Sequence, residues 1–398
     1  MSSFDSAAPP REPQSEAPLE RARGRFPSLQ SIAYLNSGSY GLLADTVIAA
    51  FDDYVQHRIR VGADWDAWVA RSERVREKTA SLLNARPAEI AVTASASAGM
   101  NAVASALDFS GERNRILVSN YEFPTSGQIW HAQARRGAVI EHVPEDEGGL
   151  IPLEHFERAI DERTRIVVIS HVCYRHGGKF PADTLRALAD LAHRNGAYII
   201  LDTFQSAGAE PVDVRALDVD FAAGGMFKYL LGTAGIGFLY VRDRLIDALV
   251  PTVTGWFAQD DIGQMNIFAN EPSHSAARFQ AGTPPVPSCY AADAGLELIL
   301  GYGVEAIAAR IGALTAYALT RFAEEGLTLA TPAANAARGP MLALRAKDAP
   351  QLVHNLIGRN VVTSYRDGNV RAGFHFYNNR EDVDRLVAGL AENRALLA

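Results

Sequence analysis

The sequence predicts an α/β protein: a large unit built on a mostly parallel sheet covered by helices, then a smaller α+β unit at the C-terminal end. Three observations carry this. Between about residues 34 and 250, short apolar runs alternate with stretches of helical periodicity, the pattern of a parallel sheet covered on both faces. The pattern then gives way to a long helical stretch around 288–325. Finally, 360–378 reads as a hairpin turned at Asp367-Gly368. The division expected is an arm over 1–30, a large domain over 31–265 and a small domain over 266–398.

The elements follow in order. The first 24 residues mix prolines and charges without an apolar segment, so they read as a flexible arm docking near its end and not as a signal peptide. "RILVS" (115–119), "AVIEHVP" (138–144), "RIVVIS" (165–170) and "AYIILD" (197–202) read as strands. Between them "SGQIWHAQARRG" and "PADTLRALADLAHRNG" have helical spacing and stop at Gly137 and Gly196. "VDFAAGG" (219–225) and "IGFLYV" add two more strands. "TPAANAARGP" (331–340) reads as a loop, and the last helix follows a cap at Asn378 or Asn379.

Composition narrows the function. With 38 basic and 46 acidic residues the net charge is −8, which gives no basic excess for nucleic acid or an anionic membrane. No apolar run approaches the roughly 20 residues of a membrane span. Two cysteines, Cys173 and Cys289, are too few for a disulfide framework or a metal cluster, and the expectation is a cytoplasmic protein with reduced thiols and no metal.

Ligands of such sheets bind beyond the carboxyl ends of the strands, so the residues just after each strand matter most. Asp202 ends one strand, with Gln205 three residues on. Lys228 follows the next, in an apolar and glycine-rich run. The Asp could simply cap a helix. Together, an acid and a lysine at neighbouring strand ends suit pyridoxal phosphate (PLP): the lysine forms a Schiff base with its aldehyde and the acid keeps its ring nitrogen protonated. Burial by Phe227, Leu230 and Leu231 would lower the lysine pKa. "GTAGIG" (232–237) imitates a dinucleotide fingerprint but precedes a strand, the wrong context. A phosphate cradle is available where "TASASAGMN" opens a helix, through the Ala96 amide and the Ser97 hydroxyl, although Ser95 or Ser97 could equally be an ordinary cap.

These residues resemble a family. "YLNSGSYG", "TASASAGMN", "LDTFQSAG", "GGMFKYLLGTAGIGFLYV" and "VRAGFHFYNNREDVDRL" are similar, in this order and over about 34–392, to the blocks of class-V aminotransferase-like, fold-type-I PLP enzymes. That group includes cysteine desulfurases, selenocysteine lyases, kynureninases, isopenicillin-N-epimerase-like proteins and some aminotransferases. The resemblance implies that Lys228 carries the cofactor, Asp202 pairs with its ring nitrogen, Gln205 contacts its phenolic oxygen and Ser97 its phosphate. Arg371 would grip the substrate carboxylate, a planar anion matched to a guanidinium. Without the family it would read as a surface charge on a hairpin.

Three pieces look most like kynureninase: Phe123 in "EFPTSG" to stack on the cofactor ring, Trp256 in "TGWFAQ" to reach the phosphate, and Thr283 in "RFQAGTPP" to bind the partner subunit's phosphate in a homodimer with shared sites. Each aromatic could equally be core packing. "SHVCYRHGG" echoes a fourth block. Asn36, Tyr40, Tyr174 and His176 come from blocks on the substrate side, the last three as candidate second proton donors. The departures are Phe227, where relatives are polar, Cys173 and His176 in place of Asn and Thr, and Gln205 in place of a kynureninase histidine. No cysteine stands in the small-domain stretches where desulfurases carry their persulfide. The expected activity is therefore a lyase acting on an amino acid with a substituted side chain without forming a protein persulfide. The alternatives are an aminotransferase, an epimerase or a deaminating enzyme, and a catalytically inactive binding protein.

Overall fold

The computed structural model describes residues 17–332 and 334–398. A seven-stranded sheet forms its centre: β2 (Ile90–Thr93), β3 (Arg115–Ser119), β4 (Val139–Val143), β5 (Thr164–Ser170), β6 (Tyr198–Asp202), β7 (Phe221–Gly225) and β8 (Gly237–Val241), in the order β2-β8-β7-β6-β5-β3-β4. Only β8 runs antiparallel to its neighbours. Nearly every residue of β5 to β8 is buried, as a sheet covered on both faces requires. The two predicted helices are present at Pro124–Ala132 and Ala182–Arg194, and Gly137 (φ 96°) and Gly196 (φ 69°) stand beyond them in the left-handed region.

A second core joins the two ends of the chain. β1 (Ala33–Tyr34) pairs in parallel with β10 (Val361–Val362). β9 (Met341–Arg345), β12 (Asn369–Gly373) and β11 (Ser364–Arg366) form an antiparallel sheet. The hairpin turns at Asp367 and Gly368, both with positive φ (50° and 71°), as the Asp-Gly dipeptide predicts. Of the arm, residues 1–16 lie outside the described residues. Beyond them, Phe26 packs on Tyr377 with ring centroids 4.6 Å apart, and Arg23 makes two hydrogen bonds to Asp382, 2.8 and 3.1 Å. The final helix, Arg380–Glu392, is capped by Asn379, not Asn378, whose amide instead reaches the Tyr34 carbonyl.

The stretch expected as one helix around 288–325 is two, Val286–Tyr302 and Val304–Glu324, bent by 77° at Gly303. Gly303 has φ 82°, a conformation that ends a helix and that other residues rarely adopt. Among the described residues no single helix is long and apolar enough to cross a membrane. The predicted loop at 331–340, described apart from residue 333, contains one short 3-10 turn, Asn335–Ala337.

Candidate active site

A cavity of about 290 Å³ opens at the carboxyl ends of β5, β6 and β7, closed on the far side by the β11–β12 hairpin. Its lining brings together Ala96, Ser97, Phe123, Tyr174, Asp202, Gln205, Lys228 and Arg371, eight of the residues singled out from the sequence. Asp202 is the last residue of β6, and its carboxylate accepts the Phe204 amide at 2.8 Å. The two glycines ending β7 make room for rings: a Cβ on Gly225 would lie 2.1 Å from Phe204, and one on Gly224 would lie 2.5 Å from Phe238. Phe204 in turn sits 4.3 Å beneath the Lys228 ammonium. Gly225 therefore serves the platform under the lysine.

Burial lowers the Lys228 pKa to about 8 against the opposing pull of Asp202. Burial likewise raises that of Asp202, only partly offset by the Phe204 amide and Lys228. Phe227 is stacked on Tyr40 (4.8 Å) and edge-on to Phe204 (5.0 Å), which puts it in the middle of an aromatic stack.

At the start of the Ala96–Ala106 helix, Ser95 takes the cap by accepting the Ala98 amide (3.1 Å). The cap is therefore Ser95 and not Ser97, and Ser95, Ala96 and Ser97 all line the cavity. Arg371, on β12, is 2 % exposed. It donates to the Tyr174 carbonyl and to the Ser39 and Ser364 hydroxyls (3.1 and 3.0 Å), while its Nε is buried without a partner. Burial, and then the charge of Arg366, lower its pKa to about 10. Gln205 donates to the Gly38 carbonyl (2.9 Å) and leaves its Oε1 buried and unpaired. Two residues of the lining thus each carry a buried polar atom without a hydrogen-bond partner, the kind of exception that a functional site explains.

Five predicted residues do not line this cavity. Asn36 bridges Gly373 through its backbone, and Tyr40 reaches the site only through Phe227, with its hydroxyl on Thr233 and the Ala234 amide. His176 is buried behind it: its Nδ1 accepts the Gly178 amide (3.0 Å) and its Nε2 meets Glu145 (3.2 Å). Although Glu145, Cys173 and His176 bring three possible metal ligands within 4.8 Å, both imidazole nitrogens are already engaged. The Trp256 indole donates to the Ile262 carbonyl (2.6 Å) instead of reaching this chain's own anion site. Thr283 is exposed, away from this cavity.

Sequence reasoning passed over Glu122, three residues past the end of β3. Its carboxylate accepts the Ser119 hydroxyl (3.0 Å) and leaves Oε2 buried without a partner. Burial, then the nearby Asp202, raise its pKa to about 8. It stood in the quoted "EFPTSG" block, but a single Glu beside an aromatic carries no signal of burial. Arg366, also in the lining, was likewise passed over.

The class-V aminotransferase profile matches residues 34–386. The chain belongs to the class-V aminotransferase family. Among curated relatives of this family member, an uncharacterized aminotransferase, YcbU of Bacillus subtilis, is 34% identical over 372 residues, covering 94% of this chain and 97% of that protein. A kynureninase of Deinococcus radiodurans is 33% identical, covering 94% and 93%. Among solved structures, C-DES with glycine covalently linked to its PLP cofactor superposes with a TM-score of 0.83 at 22% identity, covering 93% of this chain and 99% of that one. The class-V family member thus has the fold of a fold-type-I PLP enzyme.

Proposed function

We propose that this chain is a PLP-dependent lyase that cleaves a C–S or C–C bond in the side chain of an amino acid after removing its α-proton, without forming a persulfide on the protein. The observation that carries the reading is the pairing of Lys228 with Asp202 in one cavity with the unpartnered Nε of Arg371. The residues fit the cofactor. Gln205 Oε1 is an open acceptor on the cavity wall, and Ala96 and Ser97 stand at a helix start whose dipole favours a phosphate. When bound, PLP supplies an electron sink for charge developing at the substrate α-carbon.

The chain's own residues do the rest. Asp202 would face the ring nitrogen of the cofactor and, as a carboxylate, would favour its protonated form. Arg371 takes the substrate carboxylate, which gives its buried guanidinium the anion it lacks. Lys228, with a pKa near 8, has an appreciable neutral fraction at physiological pH, so its amine can accept the α-proton as general base. Phe123, Tyr174 and Phe227 wall the site with rings and limit water around that proton. Neither cysteine lines the cavity. Cys173 and Cys289 are both buried, and burial raises the Cys289 thiol pKa to about 12, which disfavours a sulfur-carrying thiolate.

A second reading, transamination, is favoured by the similarity to YcbU, described as an aminotransferase. A homodimer is proposed as well: Thr283 and Trp256 lie away from this chain's own cavity, where they could serve a partner's phosphate. The test begins with purified protein, which should show yellow absorbance and retain cofactor after borohydride. Release of a thiol with pyruvate and ammonia from cysteine conjugates, or of alanine with an aryl acid from kynurenines, then supports the lyase. Amino transfer alone, dependent on an added keto acid, overturns it in favour of the second reading.

A further inference from the structure

The cavity carries more positive charge than the proposed chemistry uses. Its lining holds three basic groups, Lys228, Arg366 and Arg371, against one carboxylate, Asp202. With Glu122 behind it, whose pKa is raised to about 8, there is little further negative charge at neutral pH. Once Asp202 faces a ring nitrogen, the helix start a phosphate and Arg371 one carboxylate, Arg366 remains.

Arg366 is placed for a ligand. It ends β11, two residues beyond Ser364, which lies opposite Arg371 in the hairpin and accepts its guanidinium. Residues two apart on a strand share a face, so Arg366 and Arg371 are diagonal neighbours, about 7–8 Å apart at the backbone. The closeness is felt electrostatically, since Arg366 depresses the pKa values of both Lys228 and Arg371. Among the described residues Arg366 makes no ion pair, and its guanidinium donates to the carbonyl of Tyr365 (2.6 Å). The adjacent carboxylate does not neutralise it: Asp367 is engaged with Arg175 (3.3 Å), which also pairs with Glu145.

We infer that Arg366 receives a second anionic group borne on the substrate side chain, so that the preferred substrates are short acidic amino acids, ending in a carboxylate or a sulfinate, held between two guanidiniums of one hairpin. This rests on the proposed function, since it takes Arg371 as the α-carboxylate site. A neutral or aromatic side chain would leave Arg366 solvated at the mouth of the cavity.

The test is a titration of the holoenzyme, followed by cofactor absorbance, with aspartate, glutamate and cysteine sulfinate against asparagine, glutamine and S-methylcysteine. Acidic members should bind about tenfold or more tightly than the neutral ones. That ratio should collapse toward one in Arg366→Gln and recover in part in Arg366→Lys. A cofactor-independent readout is the melting temperature of the apoprotein, which succinate should raise more than butyrate does, and only when Arg366 is present. Equal affinities in the wild type, or a ratio that survives Arg366→Gln, overturn the inference. A protein that takes up no cofactor overturns the proposed function instead, and leaves the succinate comparison to judge the two-arginine site.

Discussion

Asp293 and Arg371 are both buried charges, and their surroundings differ in kind. Asp293, on the Val286–Tyr302 helix, is met by three cations: Arg71 (2.8 Å), Arg74 (3.1 Å) and Lys78 (2.6 Å). Burial works to raise its pKa, but Lys78, then Arg71 and Arg74, outweigh it and hold the carboxylate below its usual range. Arg371 has only neutral acceptors, and burial pulls its pKa down to about 10. The Asp293 cluster uses its charges to join two helices, Trp65–Leu83 and Val286–Tyr302. The cavity keeps its cations short of anions at a cost to the fold, and such a cost is retained where a ligand will supply the missing partner.

Four substitutions sharpen the contrast. The largest effect is expected from Lys228→Ala: no borohydride-trappable cofactor and turnover lower by about 10³-fold or more, measured by absorbance and product release. Unchanged trapping would mean the lysine is misassigned. Arg371→Gln should raise KM for amino-acid substrates by about a hundredfold while leaving the apoprotein's melting temperature equal or higher. A marked loss of stability would place Arg371 with the structural charges.

Asp293→Asn should do the reverse, costing about 2–3 kcal/mol in chemical denaturation because its cations lose their anion, with cofactor uptake unaffected. Glu122→Gln should have an effect of definite sign that grows with pH. The folded chain holds the Glu122 proton up to about pH 8, whereas the unfolded chain releases it near the ordinary glutamate value of 4.5. Between these values the unfolded state binds fewer protons, so stability falls as pH rises. The variant should therefore gain melting temperature relative to the wild type from pH 5 to pH 8, and a gap independent of pH would refute the buried acid.

Much of this was legible in advance because it follows from local rules. The strand-helix alternation, the Asp367-Gly368 turn and the position of Lys228 one strand beyond Asp202 all rest on short-range pattern. The break at Gly303 was missed because an isolated glycine in an apolar run does not show which φ it will take. Glu122 and Arg366 were missed because burial and proximity come from other elements: Ser119 and Asp202 for the first, Arg371 across the hairpin for the second. Trp256 and Thr283 were placed by likeness to the family, and a single chain puts neither in its own cavity.

The joining of the chain's two ends has a consequence for biogenesis. Arg23 and Asp382, hydrogen-bonded to each other, are 359 positions apart, and β1 finds its partner β10 only near the end of the chain. During synthesis residues such as Phe26 and Ala33 therefore wait, apolar side chains uncovered, until β10 and the final helix have been made. Such non-local closure slows folding and exposes the nascent protein to aggregation. A ribosome-stalled chain lacking its last forty residues should be protease-sensitive at its N-terminal end, far from the truncation.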